Sequence, residues 1–263
     1  MDHKCTPLFL LLLLVPSVVP VPVIDVSALR RGRQDHDGRA EVVEAIGRAC
    51  VETGFFYITG HGIEAALQDR MLRSARAFFS LPAAVKKDRM AMAKGGKAWR
   101  GYFAVGDELT SGLVDEKEGI YFGREGDPLD PRPLHGANLW PGQPEVLAAA
   151  AAGWNKGSMN SSSCSEGGDS DGLDGRGEAA TGMAEAVADL KPAVTDFMAT
   201  VEALGSIIIE AIFDAVLVAT STSTTTDSDN PQPQCDRFRQ HFQNPLTLFR
   251  IFNCKYGGAI CFV

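Results

Sequence analysis

Two tracts of this 263-residue chain cannot build a core, and their positions dictate how the rest must fold. From Gly153 to Gly182 the composition turns to Gly, Ser, Asp and Asn, and Thr220–Asp236 is nearly pure Ser, Thr, Asp, Pro and Gln. Neither tract can bury enough apolar surface to offset the entropy of ordering it. The chain accordingly divides into a hydrophobic leader at 1–20, a foldable region at 21–145, an insert at 146–182, a helix at 183–218, a second insert at 219–236 and a closing segment at 237–263.

Within the foldable pieces the apolar spacing alternates between strand and helix periods. Val21–Val26 reads as a short strand, and Ala40–Val51 as a helix with Val42, Val43, Ile46, Ala49 and Cys50 on one face. On that face Cys50 is expected to be a buried, reduced thiol. Phe55–Thr59, rich in aromatic and β-branched residues, reads as a strand closed by Gly60-His61-Gly62. The next helix, Ile63–Phe79, carries Ile63, Ala66, Leu67, Met71, Ala75, Phe78 and Phe79 as a stripe and stops at Ser80-Leu81-Pro82. Met183–Val218 repeats the helical period through Val187, Leu190, Val194, Phe197, Met198, Val201, Leu204, Ile208 and Ile212; Pro245–Asn253 is a final strand.

Charge narrows the partners. A net charge of -8 and a pI near 5.2, with no basic stripe, argue against a nucleic-acid surface, which needs clustered Lys and Arg to displace counterions. The six cysteines form no CxxC pair and suit a reducing compartment, so a cytoplasmic location is expected. Leu8–Val15 is too short to span a bilayer, and no membrane span is expected; as a signal-peptide core it leaves the secretory pathway as the alternative, in which case the sequon at Asn160 would matter.

Two motifs could carry chemistry on their own. Gly60-His61-Gly62-Ile63-Glu64-Ala65 fits GxGxxA between a strand and a helix, the setting of a dinucleotide-binding turn. A His at the middle position is bulky beside a phosphate, and Leu81–Met90 supplies no second strand with a terminal acid. A metal site of two His and one carboxylate is written H-x-D or H-x-E with a second His much later. The residues two after His3, His36, His61, His135 and His241 are Cys5, Gly38, Ile63, Ala137 and Gln243, none of them acidic.

A series of segments says more. Val21–Leu29 (VPVIDVSAL), Ala49–Gly62 (ACVETGFFYITGHG), Ala77–Pro82 (AFFSLP), Lys97–Gly123 (KAWRGYFAVGDELTSGLVDEKEGIYFG), Pro133–Leu139 (PLHGANL) and Pro245–Asn253 (PLTLFRIFN) follow in order. In that order they resemble the non-haem dioxygenase N-terminal region of the iron(II)/2-oxoglutarate-dependent oxygenases, in the isopenicillin N synthase-like superfamily. The resemblance implies a mixed α/β fold: the N-terminal helical and strand half of a double-stranded β-helix, or jelly-roll. The likeness ends at Cys254, and Tyr256–Val263 matches nothing in the family pattern, so the core is expected to be incomplete, with an open edge at Pro245–Asn253 and a partly exposed stripe at Met183–Ile212.

The family oxidises or hydroxylates small molecules with iron(II), dioxygen and 2-oxoglutarate, and those cofactors are implied for full-length members. For this chain the expectation is no iron or cofactor site, no catalytic residues and no activity. The alternatives are a non-catalytic interaction module that pairs with a full-length relative, a gene fragment, or, less in keeping with the residues, a dinucleotide-binding oxidoreductase. Arg100, Tyr102 and Phe122 sit in the matched segment as candidates to line a substrate pocket; the competing assignment makes Tyr102 and Phe122 packed aromatics and Arg100 an ion-pair residue. His61 and His135 are expected in turn or hydrogen-bonding roles, and Asp115, Glu116 and Glu118 on a solvated face or helix cap.

Overall fold

The structure is a computed structural model that describes residues 20–32, 36–110, 112–142, 174–222, 236–237, 239–240, 242, 245–254 and 260–262. The leader Leu8–Val15, the sequon at Asn160, Cys5, Cys164, Cys235, His3, His241 and Tyr256 lie outside these residues. The chain forms two compact units, residues 1–62 with 206–240, and residues 63–205 with 241–263.

In the first unit, strand β1 (Val23–Asp25) pairs in parallel with β2 (Tyr57–Thr59), Ile24 opposite Ile58. Parallel neighbours need a crossover, and the short helix α1 (Ser27–Arg30) and the helix α2 (His36–Glu52) provide it. Helix α2 is longer than its apolar stripe, which marks only its buried face: Val43, Ile46 and Ala49. Cys50 is exposed, a correction to the expected buried thiol. The buried stripe runs along 43, 46 and 49, and Cys50 lies about 100° around the helix from Ala49.

The second unit is built on an antiparallel sheet of order β3-β6-β7-β8, formed by β3 (Gly101–Phe103), β6 (Lys117–Gly123), β7 (Leu248–Cys254) and β8 (Ile260–Phe262). A small hairpin of β4 (Leu109–Thr110) and β5 (Leu113–Val114) stands apart from it. In β6 the last five residues are buried, so both faces of the strand are covered. On one face Ile120 and Phe122 lie opposite Ile251 and Phe249. On the other, Phe103, Tyr121 and Phe252 cluster, with the Arg250 guanidinium over the Tyr121 and Phe252 rings. Gly119 has no side chain because the Phe103 and Phe252 rings fill the space a Cβ would need.

Helix α3 (Ala65–Phe79) lays Met71, Ala75, Phe78 and Phe79 into the core. Pro82 caps the next helix, α4 (Ala83–Met90), where a residue without an N–H costs nothing; the short α5 (Met92–Gly95) follows. Helical structure resumes at Asp174, inside the Gly/Ser/Asp tract, as α6 (Asp174–Ala188), and α7 (Leu190–Thr222) extends past the expected end of its pattern. Asp189 divides them, and Pro192 sits in the first turn of α7, where no N–H is required.

Leu190, Ala193, Val194, Phe197 and Met198 complete the core cluster, so the stripe expected to be partly exposed is covered there; Leu204 is buried as well, whereas Val201 is exposed and Ile208 and Ile212 are half-buried. By length and composition alone α7 could cross a bilayer, but its first half packs in this core. The edge expected at Pro245–Asn253 is not open, because Ile260–Phe262 pairs with Ile251–Asn253. The tail carries no family landmark, yet its Ile-Cys-Phe run is a competent strand.

Candidate functional site

The approach to Arg100 is an unusual piece of backbone. After the 3-10 turn Gly96–Ala98, Trp99 is left-handed (φ 55°, ψ 49°), and Gly101 follows at φ 125°. A Cβ on Gly95 would overlap the Arg100 carbonyl, so only glycine lets the chain fold back this tightly. The result drives Arg100 inward until it is only 1% exposed. Its Nη2 donates to the Leu134 carbonyl at 3.0 Å, while Nε and Nη1 have no acceptor among the described residues. Leu134 is itself left-handed, at φ 64°, and donates its N–H to the Lys97 carbonyl at 2.9 Å, tying the Pro133–Leu139 segment to the Lys97–Gly123 segment.

A polar cavity of about 180 Å³ opens beside Arg100, with Arg124, Glu125, Asp130, Arg132, His135 and Thr247 on its walls. Arg124 pairs with Glu202 at 2.9 Å, and Arg132 with Asp130 at 2.7 Å. The hydrogen bond from Arg132 holds the Asp130 carboxyl well below the usual carboxylate range. Burial pushes the Glu125 carboxyl up, but hydrogen bonds from Asn138 and Trp140 outweigh it and leave the group lowered. Burial pushes the Arg100 guanidinium down, with the charge of Glu125 partly opposing the shift. His135 Nδ1 lies 2.9 Å from the Pro133 carbonyl.

Tyr102 points elsewhere. Its ring meets Phe78 edge-on in the core, and its hydroxyl donates to Glu118 Oε2 at 2.5 Å. Lys86 Nζ reaches the same oxygen at 2.8 Å and the Phe79 carbonyl at 2.7 Å, and Asn253 Nδ2 donates to Glu118 Oε1 at 2.9 Å. Glu118 is therefore the acceptor of a largely buried network rather than part of a solvated face or cap, because β6 brings it opposite Asn253. Lys86, 4% exposed, was not legible as a site residue: Lys86-Lys87 reads as a helix surface. Tyr102 also borders an open groove of about 590 Å³ with Met92, Trp99 and Phe103.

Phe122 lines neither of these two cavities. It is fully buried and stacks on Trp140, ring centroids 4.7 Å apart and planes 18° apart. The three candidates thus do not converge: Arg100 faces a polar cavity, Tyr102 lies between the core and an apolar groove, and Phe122 fills the core.

The GxGxxA turn closes on its own side chains. Gly60 and Gly62 have φ of 64° and 70°. A Cβ on Gly60 would overlap the Asp25 carboxylate, and one on Gly62 the Arg30 guanidinium, whose Nη1 donates to the Gly60 carbonyl at 3.2 Å. These approaches account for both glycines without a bound pyrophosphate. Among the described residues no three His, Cys, Asp or Glu side chains group so as to hold a metal ion. With no H-x-D or H-x-E pair in the sequence, the residues described do not fit an iron(II) facial site.

Residues 21–143 match the family described as non-haem dioxygenase in morphine synthesis N-terminal. A protein described as a probable iron/ascorbate oxidoreductase from Dictyostelium discoideum is 44% identical over 131 residues, covering 48% of this chain and 36% of its own. The 1-aminocyclopropane-1-carboxylate oxidase of Dictyostelium mucoroides is 37% identical over 125 residues, covering 48% of this chain and 33% of its own. The chain spans about a third of the length of these curated relatives. In fold it is similar to a 2OG-Fe(II) oxygenase family protein from Caulobacter crescentus, at a TM-score of 0.54 and 20% identity over 88% of this chain and 55% of that one.

The sheet and its covering helices define a mixed helix and strand fold of the jelly-roll oxygenase kind. Residues 21–143, a little under half of the chain, are similar to the N-terminal region of 2-oxoglutarate/iron(II) oxygenases.

Proposed function

We propose that this chain supplies the helical scaffold and one polar pocket wall of an oxygenase acting on a small molecule, and that these 263 residues do not themselves catalyse iron-dependent oxidation. The observation that carries this is the histidine set: none of five is followed two residues later by an acid. In the oxygenases this chain resembles, that pair and a later His cap one face of the metal and leave the other open to co-substrate and oxygen. A small-molecule substrate, the absence of a nucleic-acid partner and a cytoplasmic location belong to the same reading. The test is succinate release from 2-oxoglutarate by the purified chain supplied with iron(II), ascorbate and air. No release above a protein-free control is expected, and iron-dependent turnover would overturn the proposal.

A second reading, a non-catalytic module that pairs with a full-length relative, draws on the apolar residues left exposed on α7, Val201, Val216 and Val218. Co-elution of the chain with such a relative as one defined complex in size-exclusion chromatography supports it, and separate elution removes it.

A further inference from the structure

Arg100 is buried almost completely, yet the described residues leave most of its hydrogen-bonding capacity unused. A guanidinium presents five N–H donors in a rigid fork. Here Nη2 serves the Leu134 carbonyl, while Nε and Nη1 are withdrawn from solvent without an acceptor. Burying charged donors in that state is unfavourable, and such groups in natural proteins call for an explanation in an ion, a water or a function.

Lys86 makes the contrast. It is similarly buried, but it has a carboxylate at 2.8 Å and a carbonyl at 2.7 Å. The acid whose field reaches Arg100 is Glu125, and the Glu125 oxygens are taken by the Asn138 N–H, the Asn138 amide and the Trp140 indole.

The position of the guanidinium is set by its neighbours. A Cβ on Gly123 would overlap the Arg100 guanidinium and would lie 2.7 Å from the Thr247 carbonyl. Leu134, which accepts from that group, and Thr247 both line the cavity of about 180 Å³. The other arginines on the wall, Arg124 and Arg132, already hold acids, Glu202 and Asp130. Among the described residues, Arg100 is the arginine of this wall without a contact carboxylate. A water occupies about 30 Å³ in the liquid, so the space suits a group a few waters in size and excludes a drug-sized ligand.

We propose that the Arg100 cavity is a binding site for a small oxyanion, a carboxylate or phosphate group, held by the unpartnered Arg100 donors with Arg132 and His135 at its rim. The planar fork matches two oxygens of such a group, which a lysine could not do. The inference goes beyond the oxygenase reading and does not depend on it.

The experiment is a calorimetric titration of the 263-residue chain with sodium acetate and, separately, with inorganic phosphate, at ionic strength held constant with sodium chloride. One-site saturable binding of at least one of the two is expected, and the arm that responds names the chemistry. Arg100→Gln is expected to weaken that binding at least tenfold, and Arg132→Gln a few-fold, whereas Arg48→Gln on the exposed face of α2 leaves it unchanged. Because Arg100→Gln could fail to fold, the wild-type chain is also followed by NMR with nitrogen-15 arginine, where one arginine Nε–H resonance should shift saturably with the same affinity. No saturable binding of either anion, or binding that neither substitution weakens and no arginine resonance follows, overturns the proposal. Neither iron nor 2-oxoglutarate is present, so that outcome leaves the oxygenase reading untouched.

Discussion

Tyr102 and Glu118 meet hydroxyl to carboxylate at 2.5 Å across the β3–β6 pair, and Lys86 Nζ shares the same carboxylate oxygen at 2.8 Å. One acid thus satisfies two side chains that are each at least 96% buried. Glu118→Gln keeps the shape but leaves the Lys86 charge unpaired. Removing one partner of a buried ion pair costs about 3–5 kcal/mol, so a loss of that order is expected in urea unfolding. A change below about 1 kcal/mol would mean that Lys86 escapes to water.

The same geometry predicts an alkaline signature. Burial, then the hydrogen bond to Glu118, pushes the Tyr102 phenol well above its ordinary value of 10.0, and burial and Glu108 raise Tyr121. Above pH 10 the unfolded chain loses protons that the folded chain keeps, so these groups' stabilisation, complete below pH 10, declines as pH rises through that value. Phenolate absorbance should therefore show tyrosines resisting ionisation until the chain unfolds. All four ionising together in the folded chain would contradict the network.

Arg70 ties α3 to the joint between α6 and α7. It donates Nε and Nη2 to the two oxygens of Asp189 at 2.7 and 2.6 Å, and Nη1 to Asp196 at 2.7 Å. Asp189→Asn is expected to lower stability by about 1 kcal/mol, since the pair is partly solvated. The Arg70 hydrogen bond holds the Asp189 carboxyl below its ordinary value of 3.8, so its contribution is present above that value and lost as pH falls beneath it. Wild type and variant should therefore converge in stability on the acid side, measured by unfolding at stepped pH.

Two glycines should behave oppositely. Gly123→Ala places a methyl against the Arg100 guanidinium and the Thr247 carbonyl, and overpacking of this kind costs about 1–3 kcal/mol. Gly205 lies within α7 with open space where an added methyl would sit and no left-handed angle, so Gly205→Ala should raise stability by about 0.5–1 kcal/mol. Thermal unfolding of the two variants side by side reads both signs.

Phe122→Ala distinguishes packing from pocket. If Phe122 is core, as its stacking on Trp140 requires, the loss is about 3–5 kcal/mol and tryptophan fluorescence shifts as Trp140 is uncovered. A variant as stable as wild type would return Phe122 to a cavity wall.

The elements themselves were largely legible. The helix period at Ala40–Val51 and Ile63–Phe79 lies within or beside α2 and α3, and the β-type run Phe55–Thr59 contains β2. Helix α6 was not legible at its start, because Asp174 onward reads as a polar tract; its later residue Val187 packs in the core, and burial there overrides weak propensity. Strand β8 was missed because the tail carries no family landmark and its role exists only beside β7.

By itself the sequence carried the likeness to an oxygenase N-terminal region, through an ordered series of segments, and showed that no histidine is followed two residues later by an acid, since both are properties of residue order. Only the tertiary structure decided what Arg100, Tyr102 and Phe122 face. That depends on partners far along the chain: β7 sets Asn253 beside Glu118, and the Leu134 carbonyl accepts from the Arg100 guanidinium beside a cavity that Thr247 also lines. Burial and pairing are properties of three-dimensional neighbours, and the periodicity of a local segment carries no information about which neighbours those will be.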